Sequence, residues 1–186
     1  MNPARLLVLL VSLPLLLGGC GEKATLEPIA ETKTVEEAPL NPNLKYEIKD
    51  GTVTITDCDE GASGKLEIPS TINGRPITSI GNYAFSNCSS LTSIKIPDSV
   101  TTIERYAFAG SSDLINITIP ESVKSLGFGV FRWCSSLDTV RFLGEAPKEG
   151  EKIFSESTPT IYRKPEAKGW GDTWGGRPVK LISEKP

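Results

Sequence analysis

CSSLTSIKIPDSVTTIERYAFAG, Cys88–Gly110, is the stretch that decides the fold. Its apolar residues Leu91, Ile94, Ile96, Val100, Ile103 and Phe108 keep neither the period of about 3.6 of a helix face nor the strict alternation of a half-buried strand. The following 23 residues, SSDLINITIPESVKSLGFGVFRW, restate it, and it begins again at Cys134 with CSSLDTVRF. Leu91, Leu114 and Leu137 lie 23 apart, as do Ile94, Ile117 and Val140, and Ile96, Ile119 and Phe142. Upstream, KLEIPSTI gives Leu66, Ile68 and Pro69 the same roles and closes on Tyr83-Ala84-Phe85. A fixed period in the twenties marks a solenoid, in which each unit buries its apolar side only against its neighbours.

Within one unit, Ile-x-Ile reads as a short strand with two inward side chains and one outward between them. Proline ends the strand because it has no N–H to give a ladder. The chain then dips inward at Val100 and Ile103, or Val123 and Leu126, and crosses the far side through Ala107-Phe108 or Val130-Phe131. Stacked units place their strands in a parallel ribbon at about 4.8 Å spacing. The expected fold is therefore an α/β or mainly β solenoid of about four coils. The first coil is longer, 11 residues from Pro69 to Ile80 against 6 from Pro97 to Ile103, and its Asn73-Gly74 predicts a small projecting hairpin. In the third coil, Gly127-Phe128-Gly129-Val130-Phe131 replaces the Tyr-Ala-Phe ending and leaves the far-side conformation open there.

Both ends of such a stack need covers. Ahead of the repeats, Tyr46 and Ile48 alternate with polar residues, as do Val53 and Ile55, and Asp50-Gly51 between them suits a tight antiparallel turn. This hairpin is the expected N-terminal cap. After the repeats, Ile161-Tyr162 predicts a last strand, and Trp170 and Trp174 are expected to close the open end.

The pattern C-x-x-L-x-x-I-x-I-P-x-x-V-x-x-I-x-x-x-A-F resembles the BspA-type leucine-rich repeats of bacterial surface proteins, over about residues 64–143. The C-terminal stretch PTIYRKPEAKGWGDTWGGRPVKLI resembles the segment that often follows such repeats. The resemblance implies partner binding on the outward side of the strand ribbon.

The first residues, MNPARLLVLLVSLPLLLGGC, place one arginine before a short apolar run, too short and interrupted to span a bilayer but fitting a secretory leader. Leu17-Gly18-Gly19-Cys20 resembles a bacterial lipobox, which implies lipid attachment at Cys20. More than one acyl chain on that residue would anchor stably. By the same resemblance, Gly21 stands where an aspartate often retains lipoproteins at the inner membrane, which implies the outer membrane or cell surface instead. The alternative is a conventional leader that happens to hold a cysteine. Residues 21–43 are rich in glutamate and proline without apolar periodicity, the composition of a disordered tether. The expected organisation is thus a lipoprotein leader at 1–19, lipidated cysteine and tether at 20–43, capping hairpin at 44–63, repeats at 64–143 and C-terminal cap at 144–186.

The net charge of −3 and pI near 5.2 give no basic field for nucleic acid. The chain has no histidine, the commonest general base and metal ligand. Its four cysteines, at 20, 58, 88 and 134, form no C-x-x-C pair, so neither a metal nor a cofactor is expected. Cys88 and Cys134 share one repeat position two coils apart and read as small buried residues; a bond from Cys58 to Cys88 requires the hairpin to fold over that edge. Asp57, Asp59 and Glu60 form an acidic loop without calcium-site spacing, read as solvated. No nucleophile-elbow, phosphate-loop or dinucleotide motif occurs.

The candidate partner-binding residues are the outward ribbon positions Lys65, Glu67, Ser93, Lys95, Asn116, Thr118, Thr139 and Arg141, together with Trp133, which stands where earlier coils carry Asn87 and Gly110. Only Arg141 and Trp133 among them are of the types that dominate interface energetics. For Trp133 and Phe128, folding over the C-terminal cap is the expected placement; an exposed pair contacting protein or sugar is the alternative. The expected function is a non-enzymatic, lipid-anchored, monomeric envelope protein recognising protein or glycan. A structural envelope lipoprotein without a ligand is the alternative, and a carboxylate-dependent hydrolase the remote one.

Overall fold

The repeat dictates the backbone. In a computed structural model, which describes residues 41–184, each Leu-x-x-Ile-x-Ile becomes a strand, and the segments between become two further sides of a three-sided coil. The leader, Cys20 and the tether up to residue 40 lie outside the described residues.

The chain enters by a hairpin, β1 (Leu44–Lys49) and β2 (Thr52–Cys58), turning at Asp50 and Gly51, both of positive φ. The first coil holds β3 (Gly64–Glu67), β4 (Thr71–Ile72) and β5 (Arg75–Ile80). β4 and β5 form the expected extra hairpin around Asn73-Gly74. The second and third coils hold β6 (Leu91–Lys95) with β7 (Thr102–Ile103), and β8 (Asn116–Ile119) with β9 (Ser125–Leu126). The remaining strands are β10 (Thr139–Phe142), β11 (Thr160–Arg163), β12 (Thr173–Trp174) and β13 (Arg177–Leu181).

One sheet runs β3-β6-β8-β10-β11-β13 in parallel, with β12 antiparallel at its end. Its register places Leu66, Ile94, Ile117, Val140, Ile161 and Val179 one above another. The second sheet runs β1-β2-β5-β7-β9, and β2 joins it in parallel by pairing Val53 with Ile77 and Ile55 with Ile80. The cap hairpin therefore extends the sheet on one side while burying Val53 and Ile55 over the open end of the first coil.

The stack has about five turns and six ribbon strands, where the sequence reading expects about four coils. The difference lies past residue 143. Ile153-Phe154 and Ser157 continue the 23-residue recurrence of Val130-Phe131 and Cys134, but the strand-ending proline and the Val/Leu pair between them are missing, which hides the coil. The stacked rings reveal it. Phe85, Phe108, Phe131 and Phe154 form a column with centroids 5.3, 5.5 and 5.6 Å apart and rings within 20° of parallel.

A second column runs beside it through Cys88, Ser111, Cys134 and Ser157, all buried. Ser111, Cys134 and Ser157 each donate to the carbonyl of the phenylalanine one coil back, Phe85, Phe108 and Phe131, at 2.8, 3.0 and 2.6 Å. The Phe85 and Phe108 carbonyls also accept a backbone N–H, from Cys88 at 3.4 Å and from Ser111 at 3.2 Å, so the small donor there adds a second bond. At Phe131 the Cys134 N–H goes to Ser157 Oγ, and the hydroxyl takes over the carbonyl.

The third side carries two left-handed positions in every coil. Tyr83, Tyr106, Gly129 and Lys152 hold the first, and Asn87, Gly110, Trp133 and Glu156 the second, with φ between 55° and 76°. The third coil thus keeps the far-side conformation left open above. At Gly129 a Cβ would lie 2.7 Å from the Tyr106 ring, so glycine there gives that ring its space. Phe128, one residue earlier, supplies the next ring, edge-on to Tyr106 at 5.3 Å.

At the far end Trp170 and Trp174 close the stack as expected. Phe142 meets them at 4.8 and 5.1 Å, they meet each other at 5.6 Å, and Trp170 Nε1 donates to the Gly144 carbonyl.

Candidate recognition surfaces

The outward side of the ribbon follows from its register. Because Leu66, Ile94, Ile117 and Val140 point inward, their neighbours along each strand point out. One outward row is Lys65, Ser93, Asn116, Thr139 and Thr160; the other is Glu67, Lys95, Thr118, Arg141, Tyr162 and Lys180. Six strands at about 4.8 Å make it roughly 24 Å tall, against roughly 14 Å for four.

The structure aligns all eight expected ribbon residues but does not expose them equally. Lys65, Glu67, Lys95 and Asn116 are exposed, and Ser93, Thr118 and Arg141 are half-buried. Thr139 is 5% exposed, and its hydroxyl donates to Asp138 Oδ2 at 3.0 Å. It lies in an inner strand between Asn116 and Thr160, so it contributes shape rather than a free donor. Lys95 and Glu67 are ion-paired across neighbouring strands, which neutralises that part of the surface; an exposed pair of this kind adds at most ~1 kcal/mol of stability. The sequence reading leaves out Tyr162 and Lys180, which continue the row beyond Arg141. Tyr162 is buried. The alternation in Thr160-Ile161-Tyr162 is the signal that could have placed it.

The turn side carries the aromatic residues. Trp133 is 50% exposed, and the guanidinium of Arg132 lies 3.9 Å from its ring centroid. The expectation that Trp133 and Phe128 fold over the C-terminal cap is corrected. The positive φ at Trp133 turns its side chain outward from the coil, and Phe128 instead joins a row with Tyr106 and Tyr83. Tyr83 and Tyr106 stack face to face at 5.1 Å, and Lys152 lies 5.8 Å from the Phe128 centroid. Only the facing sides of Tyr83 and Tyr106 cover each other; Phe128 stands edge-on, and Tyr83 at the end of the row is 51% exposed. The Tyr83 and Tyr106 recurrence at 23 residues is the signal for this row.

The acidic loop disperses. Asp57 pairs with Lys45 at 2.6 Å, and Asp59 Oδ1 accepts the Gly61 N–H at 2.8 Å. That pairing holds the Lys45 ammonium above its ordinary range, first through its hydrogen bond to Asp57. Among the described residues no group of three or more potential ligands is placed to hold a metal ion, and no helix is long and apolar enough to cross a membrane.

Comparison with known proteins fits this geometry. The family model described as BspA type leucine rich repeat region matches residues 63–163 in six copies. A leucine-rich repeat protein from Bacteroides capillosus is similar in structure at TM-score 0.58 and 29% identity, over 66% of this chain and 94% of that one. One from Bacteroides ovatus gives 0.57 and 28%, over 76% of this chain but only 37% of its own length. The leucine-rich repeat protein of T. pallidum gives 0.50 at 24% identity, over 68% and 71%, a likeness of fold. No curated protein matches the chain.

Proposed function

The chain belongs to the BspA-type leucine-rich repeat family, and on that premise we propose that it is a non-enzymatic recognition module, held at the bacterial cell envelope by lipid on Cys20, that binds a protein partner. The observation that carries this reading is Trp133. A side chain with a Cβ in left-handed backbone costs roughly 1–2 kcal/mol, and the same column elsewhere holds Asn87, Gly110 and Glu156. Burial of half the indole offsets that cost, but the other half remains in water. An aromatic placed at a strained and exposed position, with an arginine stacked on it, has the composition of an interface hot spot. The ribbon residues Lys65, Glu67, Ser93, Lys95, Asn116, Thr118 and Arg141, with Thr139 as a shape element, form the second surface of the proposal.

Trp133→Gly separates this from a structural role. The strain relieved offsets the burial lost, so the melting midpoint is expected to stay within a few degrees of wild type. Capture of a partner from envelope extract is expected to drop at least tenfold, with Arg141→Ala reporting on the ribbon in the same assay. A variant that melts about 10 °C or more below wild type would mean that the indole supports the fold, and the reading would fail. The mutual neutralisation of Lys95 and Glu67 favours the alternative, a structural envelope lipoprotein whose ribbon is only a solvated face.

For the anchor, Cys20→Ser is expected to move the protein into the aqueous phase of a detergent partition or to leave an uncleaved precursor. Partition of the mutant identical to wild type would end the lipid assignment.

A further inference from the structure

The cysteine–serine column has one irregular member. Ser111, Cys134 and Ser157 each reach back to a phenylalanine carbonyl, but Cys88 has no such coil behind it. It faces the end of β2 instead. Its Sγ lies 3.9 Å from the carbonyl oxygen of Cys58 and 4.0 Å from that of Asp59. The Sγ of Cys58 lies 3.7 Å from the same Asp59 oxygen. Two sulfurs thus converge on one atom, the Asp59 carbonyl oxygen. These contacts are long and weak, so neither is committed to a strong partner elsewhere. Both are free thiols in this structure.

We infer that Cys58 and Cys88 are a modification site: an intrachain disulfide that staples the N-terminal hairpin to the first coil. Cys134 cannot compete. Two coil spacings separate it from Cys88, about 9–10 Å, beyond the reach of a disulfide.

The chemistry is thiol–disulfide exchange with an external disulfide donor, of the class an exported chain meets. The Cys58 thiolate attacks one donor sulfur and releases the first donor thiol. The Cys88 thiolate then attacks Cys58 Sγ and displaces the second. Two protein S–H bonds are replaced by one S–S bond, the donor disulfide is reduced to two thiols, and the two protons end on them. Either cysteine can make the first attack, and the second then closes the bond in the same way. Timing follows from burial. Cys58 is 2% exposed and Cys88 0%, so a donor reaches them only while the hairpin is undocked. Once closed, the bond is shielded from reductant.

The inference concerns the cap and stands whether or not a partner binds Trp133. The test uses the full chain carrying Cys20→Ser, so that only the three body cysteines count. It is refolded in detergent with oxidised and reduced glutathione, then denatured in alkylating reagent. One reactive thiol is expected, Cys134, with a peptide pair linking Cys58 to Cys88. Adding reductant is expected to lower the melting midpoint by roughly 10 °C. Cys58→Ser and Cys88→Ser should both melt like the reduced chain, and Cys134→Ser should keep the link. As a check independent of refolding, producing cells quenched in acid and then denatured in alkylating reagent should again show Cys58 and Cys88 protected and Cys134 modified. Three reactive thiols, a link through Cys134, or equal midpoints with and without reductant would overturn it.

Discussion

Phe108→Ala is expected to cost ~3–5 kcal/mol, lowering the melting midpoint by roughly 10 °C or more. Phe108 is fully buried and lies between Phe85 and Phe131, at 5.3 and 5.5 Å, in near-parallel stacks. Truncation loses the transfer free energy of the ring, breaks two aromatic contacts of about 0.5–1.5 kcal/mol each, and leaves a void in mid-column. Collapse cannot repair it, because the ribbon register fixes the coil spacing from both sides. Phe108→Leu, which keeps most of the volume, should lose much less. Scanning calorimetry on the two variants checks this, and a wild-type midpoint for the alanine variant would contradict the column as the core.

Ser157→Ala is expected to be the next most damaging, at ~2–4 kcal/mol, although it removes a single oxygen. That oxygen donates to the Phe131 carbonyl at 2.6 Å and accepts the Cys134 N–H at 2.9 Å. The alanine variant leaves a buried acceptor and a buried donor both unpaired, and each costs about 1–3 kcal/mol. Ser111→Cys, by contrast, should stay within about 1 kcal/mol, since Cys134 already does the same work one coil on. Denaturant melts of the two variants, compared at equal slope, measure the contrast. Equal losses would mean that size rather than pairing governs the column.

The coil was legible because its constraints are local and recur. Leu91, Ile94 and Ile96 each have copies 23 residues away, and the capping hairpin shows in Asp50-Gly51 between two alternating runs. The fourth coil's far side was not legible, because Ile153-Phe154 and Ser157 keep their places while the intervening strand signals are gone. The surfaces were read only in part. Alternation gives which ribbon residues point outward, but not that Thr139 is closed in by its neighbours and Asp138. Trp133 could be singled out by its departure from Asn87 and Gly110, yet its exposure depends on a backbone φ that no apolar pattern encodes. The closeness of Cys58 to Cys88 depends on how the hairpin docks, a tertiary event that spacing in the chain does not fix.

The two aligned columns of phenylalanine and small donor have a consequence for how such a molecule can change its length. Each donor answers a carbonyl in the preceding layer, so a layer is complete only together with the one before it. Growth or loss must therefore come in full repeats. A duplication or excision of 23 residues, such as 114–136, hands every bond to an equivalent group. A slip of one or two residues takes the phenylalanines out of the aromatic spine and disturbs every junction beyond it. Smaller additions are accommodated at the corner after β3, where the Asn73-Gly74 hairpin already projects clear of both columns. Reach can thus vary by copying while the packing rule stays unchanged.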